Sequence, residues 1–149
     1  MFRDGAARLL VFRIGRELFG VSLQAVAEVI DAPALERMPD SPPGLLGVMS
    51  VRGEAIPVYD LTPALDVGRQ RIGAALVFDR GARRVGFAVD DVDDAVAIEE
   101  RMLREAPGAA TDGMLRGLVR RGDDLIAVLD TDTLVSAGGA HGAGEGERR

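Results

Sequence analysis

Four sets of side chains in this chain of 149 residues could do chemistry. A nucleophilic triad needs an ordered base, but the one histidine, His141, sits among tail glycines, and Ser22, Ser41, Ser50 and Ser136 have no activating neighbours. The absence of cysteine removes a thiolate nucleophile and a cysteine zinc site. The carboxylates Asp90, Asp91, Asp93 and Asp94 suggest a cation site, yet the calcium-loop pattern fails: counted from Asp91, position 5 is Ala95 and the required glycine is missing. At strand spacing Asp91 and Asp93 share one face and Asp90 and Asp94 the other, so a solvated acidic rim is expected. Asp60 follows an apolar run as a phosphate acceptor would, but that chemistry also needs a lysine and long amphipathic helices, and the chain has no lysine. No catalytic residue, metal or cofactor is expected.

The remaining candidate is a cation. Arg52 and Gly53 lie within 47–61, GVMSVRGEAIPVYDL, between two apolar runs whose period-2 spacing predicts paired strands. A glycine there accepts positive φ, so Arg52 is placed at a hairpin tip and offered to solvent. Pro57, lacking an N–H, is expected at an edge or bulge, where another chain can pair.

The elements that must hold this tip are mostly short strands. Hairpins are predicted around residues 15–17, 80–82 and 121–123, each flanked by alternating apolar residues. Leu23, Val26, Val29 and Ile30 fit a helical turn better, Thr62 with Pro63 reads as a helix start, and residues 99–104 and 131–135 read as brief helices. Residues 1–8 and the glycine-rich 136–149 are expected to be flexible termini around a domain at 9–135.

Net charge of −6 and a pI near 4.8 have the wrong sign for phosphate neutralisation, so no nucleic-acid partner is expected. No apolar run is long enough for a signal peptide or a membrane span, which points to a cytoplasmic protein without direct membrane insertion.

The chain also repeats itself. Val11, Phe12, Gly15, Gly20 and Val26 align with Val77, Phe78, Gly81, Gly86 and Val92 at a constant offset of 66, and Arg52-Gly53 aligns with Arg121-Gly122 after three extra residues. Each copy has the composition of a small barrel, with a first barrel expected at about 9–67, a second at about 72–135, and a groove between them as a binding site.

The runs LLVFRIGRELFGVSLQAVAEVI, PPGLLGVMSVRGEAIPVYDL and VGFAVDDVDDAV together resemble the CheW family of bacterial chemotaxis coupling proteins. Segment 47–61 is similar to the family signature G-V-x-N-L-R-G-x-x-x-P-V-x-D-L, with Ser50 in place of the usual Asn and Val51 in place of Leu. The resemblance implies an all-β fold of two five-stranded SH3-like barrels packed side by side. It implies a non-catalytic adaptor, with the regulatory domain of the histidine kinase CheA and the cytoplasmic tips of chemoreceptors as partners. It places Val26, Glu28 and Val29, and Val51, Arg52 and Gly53, at partner surfaces. The competing class is a β-barrel module that binds a small ligand or another protein outside chemotaxis.

Overall fold

The computed structural model describes residues 5–68, 71–106 and 113–136. Among the described residues ten strands form in the order β1 (Ala6–Ile14), β2 (Glu17–Ser22), β3 (Val26–Asp31), β4 (Leu45–Val51), β5 (Glu54–Asp60), β6 (Ala74–Arg80), β7 (Arg83–Val89), β8 (Asp91–Glu99), β9 (Leu115–Arg121) and β10 (Asp124–Leu129). One short helix, α1 (Thr62–Leu65), follows β5, and residues 131–136 are helical. The all-β expectation holds. The ordered strand begins at Ala6, not Leu9, because Ala6, Ala7 and Arg8 pair with Glu99, Ile98 and Ala97. The expected flexible tail, His141 included, lies outside the described residues apart from Ser136.

Two five-stranded sheets result, ordered β8-β1-β2-β10-β9 and β3-β6-β7-β5-β4. They are strongly curled but are not the closed barrels expected. The outer strand β4 is met by a single bridge from Glu36, beyond the end of β3, to Val48, and β9 by one from Arg104, beyond the end of β8, to Leu118. The sheets do not divide near residue 70: the second is the contiguous stretch 26–89 and the first joins 6–22 to 91–129.

The repeat nevertheless survives in this exchanged form. Replacing each strand of one sheet by its counterpart five strands away generates the order of the other. In both sheets a short parallel pairing joins the halves at equivalent glycines, Gly20 beside Val128 and Gly86 beside Val58. A Cβ on Gly20 would lie 3.2 Å from Leu9 Cδ1, and one on Gly86 3.2 Å from Val58 Cγ2, so each parallel crossing is closely packed over its glycine.

Strand alternation explains the core. Leu10, Phe12, Ile14 and Val21 from one sheet meet Leu76, Phe78, Phe87 and Val89 from the other in a shared layer. The opposite parity fills the hollow of each curled sheet, with Met49, Ile56, Val58 and Val77 in one, and Leu9, Val11, Val119 and Ile126 in the other. Strands β6 and β7 are covered on both faces and read as unbroken apolar runs for that reason.

Several local expectations are corrected by pairing. Residues 23–25 form a 3-10 turn, but Val26–Asp31 is strand, paired with β6. Thr62 is not the cap of α1 but its first residue; the carboxylate of Asp60 accepts from Thr62 N at 3.1 Å and from its hydroxyl at 2.9 Å. Pro57 sits in an inner strand and still leaves no ladder bond broken. Its neighbour on β4 is Val48, and the parallel pairing with β7 starts only at Val58, so the missing N–H faces an unpaired stretch. Asp90, expected on a solvated rim, is 4% exposed where the chain crosses from β7 to β8, and accepts from Arg71 N at 3.1 Å.

Candidate functional site

The β4–β5 hairpin turns at Arg52 (φ 49°) and Gly53 (φ 84°), the positive-φ pair of a type I′ turn that matches the twist of the flanking strands. The glycine accepts this without strain, whereas Arg52 is held in the left-handed region. Arg52 is thereby aimed across the mouth of the curled sheet at Glu28 on β3. Its guanidinium donates two bonds to that carboxylate, Nη1 to Oε2 at 2.8 Å and Nη2 to Oε1 at 2.5 Å. Arg84, from the inner strand β7, donates Nη1 to Glu28 Oε1 at 3.3 Å, and its Nε donates to Asp79 Oδ1 at 3.2 Å. The Arg52 fork holds the Glu28 carboxyl below its ordinary range, partial desolvation opposes this, and the charge of Arg84 adds to it.

Of the residues implicated by sequence, only Glu28 and Arg52, with Gly53 beside them, come together here. The reason is a one-residue bulge in β3: Val26 pairs with Phe78 but Glu28 already pairs with Val77, so Ala27 is extra and parity flips. Val26 and Val29 consequently share the side of Phe78 and Leu76, which face the shared core, while Glu28 shares the side of Val77 in the sheet's hollow. Val29 remains 37% exposed at this edge. Val51 packs partly buried against the Met49 cluster and supports the tip from below. Ser50 is exposed opposite Ala55, with its side chain on the outer face.

The other sheet holds a counterpart that spacing alone misassigned. The closing pair of the second hairpin is Arg121 with Asp124, and that of the first is Val51 with Glu54. Arg121 therefore corresponds to Val51, and Gly122 to Arg52. Even so, Arg121 reaches the same place on its own sheet, bonding Asp94 Oδ1 at 2.8 Å and Asp93 Oδ2 at 3.2 Å, with Asp124 at 3.6 Å. Asp94 lies 66 residues after Glu28. A matching bulge makes Asp93 and Asp94 face Val11 alone, which is why these carboxylates converge instead of taking opposite faces. Each curled sheet is thus latched at its mouth by an arginine and a carboxylate.

An open cleft of about 370 Å³ is lined by Ser22, Gln24, Ala25, Arg116 and residues 130–132, all from the first sheet and the segments next to its strands, so it is not the groove expected between two barrels. None of the implicated residues lines it. Within it Asp130 accepts from Thr133 N at 2.9 Å and from Arg116 at 3.1 Å. Desolvation raises the Asp130 carboxyl, but the bonds from Thr133 and the Arg116 charge outweigh it and leave it below its ordinary range. A carboxyl depressed in the fold contributes stability above its unfolded value, about 3.9, and that contribution is lost as pH falls through the folded value. Asp130→Asn is expected to flatten the decline of the urea midpoint between about pH 5 and pH 2, checked by denaturation at each pH. Among the described residues no group of three or more His, Asp or Glu could hold a metal ion, and no helix is long and apolar enough to cross a membrane.

Residues 8–138 match the CheW-like domain family. The chain belongs to the CheW-like domain family. It is 24% identical over 144 residues to chemotaxis protein CheW of Treponema pallidum, covering 90% of this chain and 85% of that protein. It is 29% identical over 142 residues to the probable chemotaxis protein CheW of Rhizobium etli, covering 89% and 90%. The crystal structure of the scaffolding protein TtCheW from Thermoanaerobacter tengcongensis superposes with a TM-score of 0.72 at 23% identity, covering 83% of this chain and 88% of that one, a likeness of fold. Within this CheW-like domain the signature segment is the hairpin that carries Arg52, and the latch partner Glu28 comes from the strand after the first crossing.

Proposed function

We propose that this CheW-like chain is a chemotaxis scaffold without catalytic chemistry of its own, which couples the cytoplasmic tips of chemoreceptors to the regulatory domain of the histidine kinase CheA. It acts in the cytoplasm and is recruited to membrane receptor arrays through these contacts. The observation that carries this is the Arg52 tip: a bidentate donor on a two-residue hairpin turn, with 66% of its side chain exposed and, among the described residues, only an exchangeable carboxylate as its ion-pair partner. A guanidinium so placed can be taken over by a carboxylate on a docking protein, and main-chain edges beside it can align that protein. Val29, 37% exposed at the outer edge of β3, offers an apolar contact suited to a helical receptor hairpin, and Val26 beside it is anchored against the shared core.

Calorimetric titration of the purified chain with the kinase regulatory domain tests this. One-to-one binding with a Kd of about 1–10 μM, weakening as salt rises, is expected. Absence of heat and of complex on a sizing column at about 100 μM of each protein would show that the kinase is not the partner.

A further inference from the structure

The two latches are equivalent in position but opposite in stoichiometry. On one sheet Arg121 is a single cation serving Asp93, Asp94 and Asp124, and no other cation among the described residues lies within 4 Å of Asp93 or Asp94. Withdrawing it would leave three carboxylates facing one another, so this latch is locked. On the other sheet Glu28 is served by two cations, Arg52 and Arg84, the second of them shared with Asp79. Oε1 of Glu28 accepts from both, and Oε2 from Arg52 alone.

The two cations also differ in how they are held. Arg52 is on a turn and 66% exposed, whereas Arg84 is on an inner strand, 31% exposed and braced through Nε by Asp79. A carboxylate only 26% exposed would lose its counter-charge if Arg52 were its sole partner and were drawn away, and that loss would oppose docking.

We propose that Arg84 is a positioning residue: it is the standby counter-ion of Glu28, which frees Arg52 to exchange that carboxylate for one on a protein partner. Arg52 leaves, both oxygens of Glu28 become available to the Arg84 guanidinium, and the sheet's mouth keeps an ion pair throughout. This rests on the docking role of Arg52 and adds to it a cause for the asymmetry between the halves. Nothing in the sequence spacing signals the pair, since Arg84 and Glu28 are 56 residues apart.

Two measurements separate this from the docking role itself. In the free protein, carboxyl carbon NMR should show Glu28 still titrating below the ordinary glutamate range in Arg52→Ala, and returning to that range once Arg84→Gln is added. If Arg52→Ala alone returns Glu28 to the ordinary range, Arg84 does not take it over and the proposal is wrong, whatever Arg52 binds. For binding to the kinase regulatory domain, Arg84→Gln should weaken affinity about fivefold, and Arg84→Lys should recover most of it. In the Glu28→Gln background, where no carboxylate needs a counter-ion, Arg84→Gln should change affinity by less than about 1.5-fold. Equal losses in both backgrounds would mean that Arg84 touches the partner itself, which overturns the standby role. Unchanged affinity in Arg52→Ala would instead overturn the docking role, while the Glu28 titration still reports on Arg84.

Discussion

Gly73→Ala is expected to cost about 3 kcal/mol or more, out of the roughly 5–15 kcal/mol that holds a domain of this kind together. Gly73 lies just before β6, where three strands of one sheet meet the crossing to the other. Its carbonyl accepts from Ala32 N and its N–H donates to Val89 O, both at 2.9 Å. A Cβ built there would stand 2.0 Å from the carbonyl oxygen of Asp90 and 3.1 Å from its carbon. That carbonyl has nowhere to retreat, because Asp90 is 4% exposed and its own N–H is tied to Arg13 O at 2.9 Å on the facing sheet. Relief therefore requires breaking either the pairing that joins β3 to β6 or the bond that joins the sheets. A fall in melting temperature of about 10 °C or more is the expected readout, with Gly68→Ala as the control, since a Cβ on Gly68 meets nothing within 4 Å. A Gly73→Ala protein as stable as the parent would mean that the crossing is far more pliant than its hydrogen bonds indicate.

That crossing was not visible in the sequence, and the cause is general to this fold. Hairpins are local, so the turns at residues 15–16, 52–53, 81–82 and 122–123 could be read from glycine and flanking alternation. Sheet membership is not local: β1 pairs with β8 across more than 70 residues, and only register decides it. The offset of 66 over the first part of each copy was legible, but it concealed an exchange, because two linked copies and two copies that trade strands share one repeat. The site was lost at a smaller scale. Leu23, Val26, Val29 and Ile30 have helical spacing because the extra residue Ala27 shifts a strand's alternation by one. The same kind of bulge at Asp93 and Asp94 defeated the expectation that these carboxylates diverge. What did come through was Arg52 at a tip, since a turn residue between two strands needs no distant partner to be placed.

Reversing charge at the two latches is expected to separate function from stability. Arg52→Glu should leave the chain folded, because the tip is exposed and Glu28 keeps Arg84 as its counter-charge. It should nevertheless lower affinity for the kinase regulatory domain at least about tenfold, since the docking carboxylate would meet a like charge where a bidentate donor had been. Arg121→Glu should do the opposite. Its side chain is only 29% exposed and surrounded by Asp93, Asp94 and Asp124, so a fourth carboxylate would repel three others across the mouth of the sheet. A melting temperature lower by about 5 °C is expected, partly recovered in about 1 M salt, with affinity of the folded fraction within about twofold of the parent. The comparison is decisive because both substitutions change net charge equally, so long-range steering is affected alike and only the local partners differ. Equal losses of affinity from the two would assign the effect to overall charge and remove Arg52 from the interface. Loss of affinity from Arg52→Glu alone, with stability falling in Arg121→Glu alone, would mean that duplication produced two like latches, of which one kept the structural task and the other was freed for recognition.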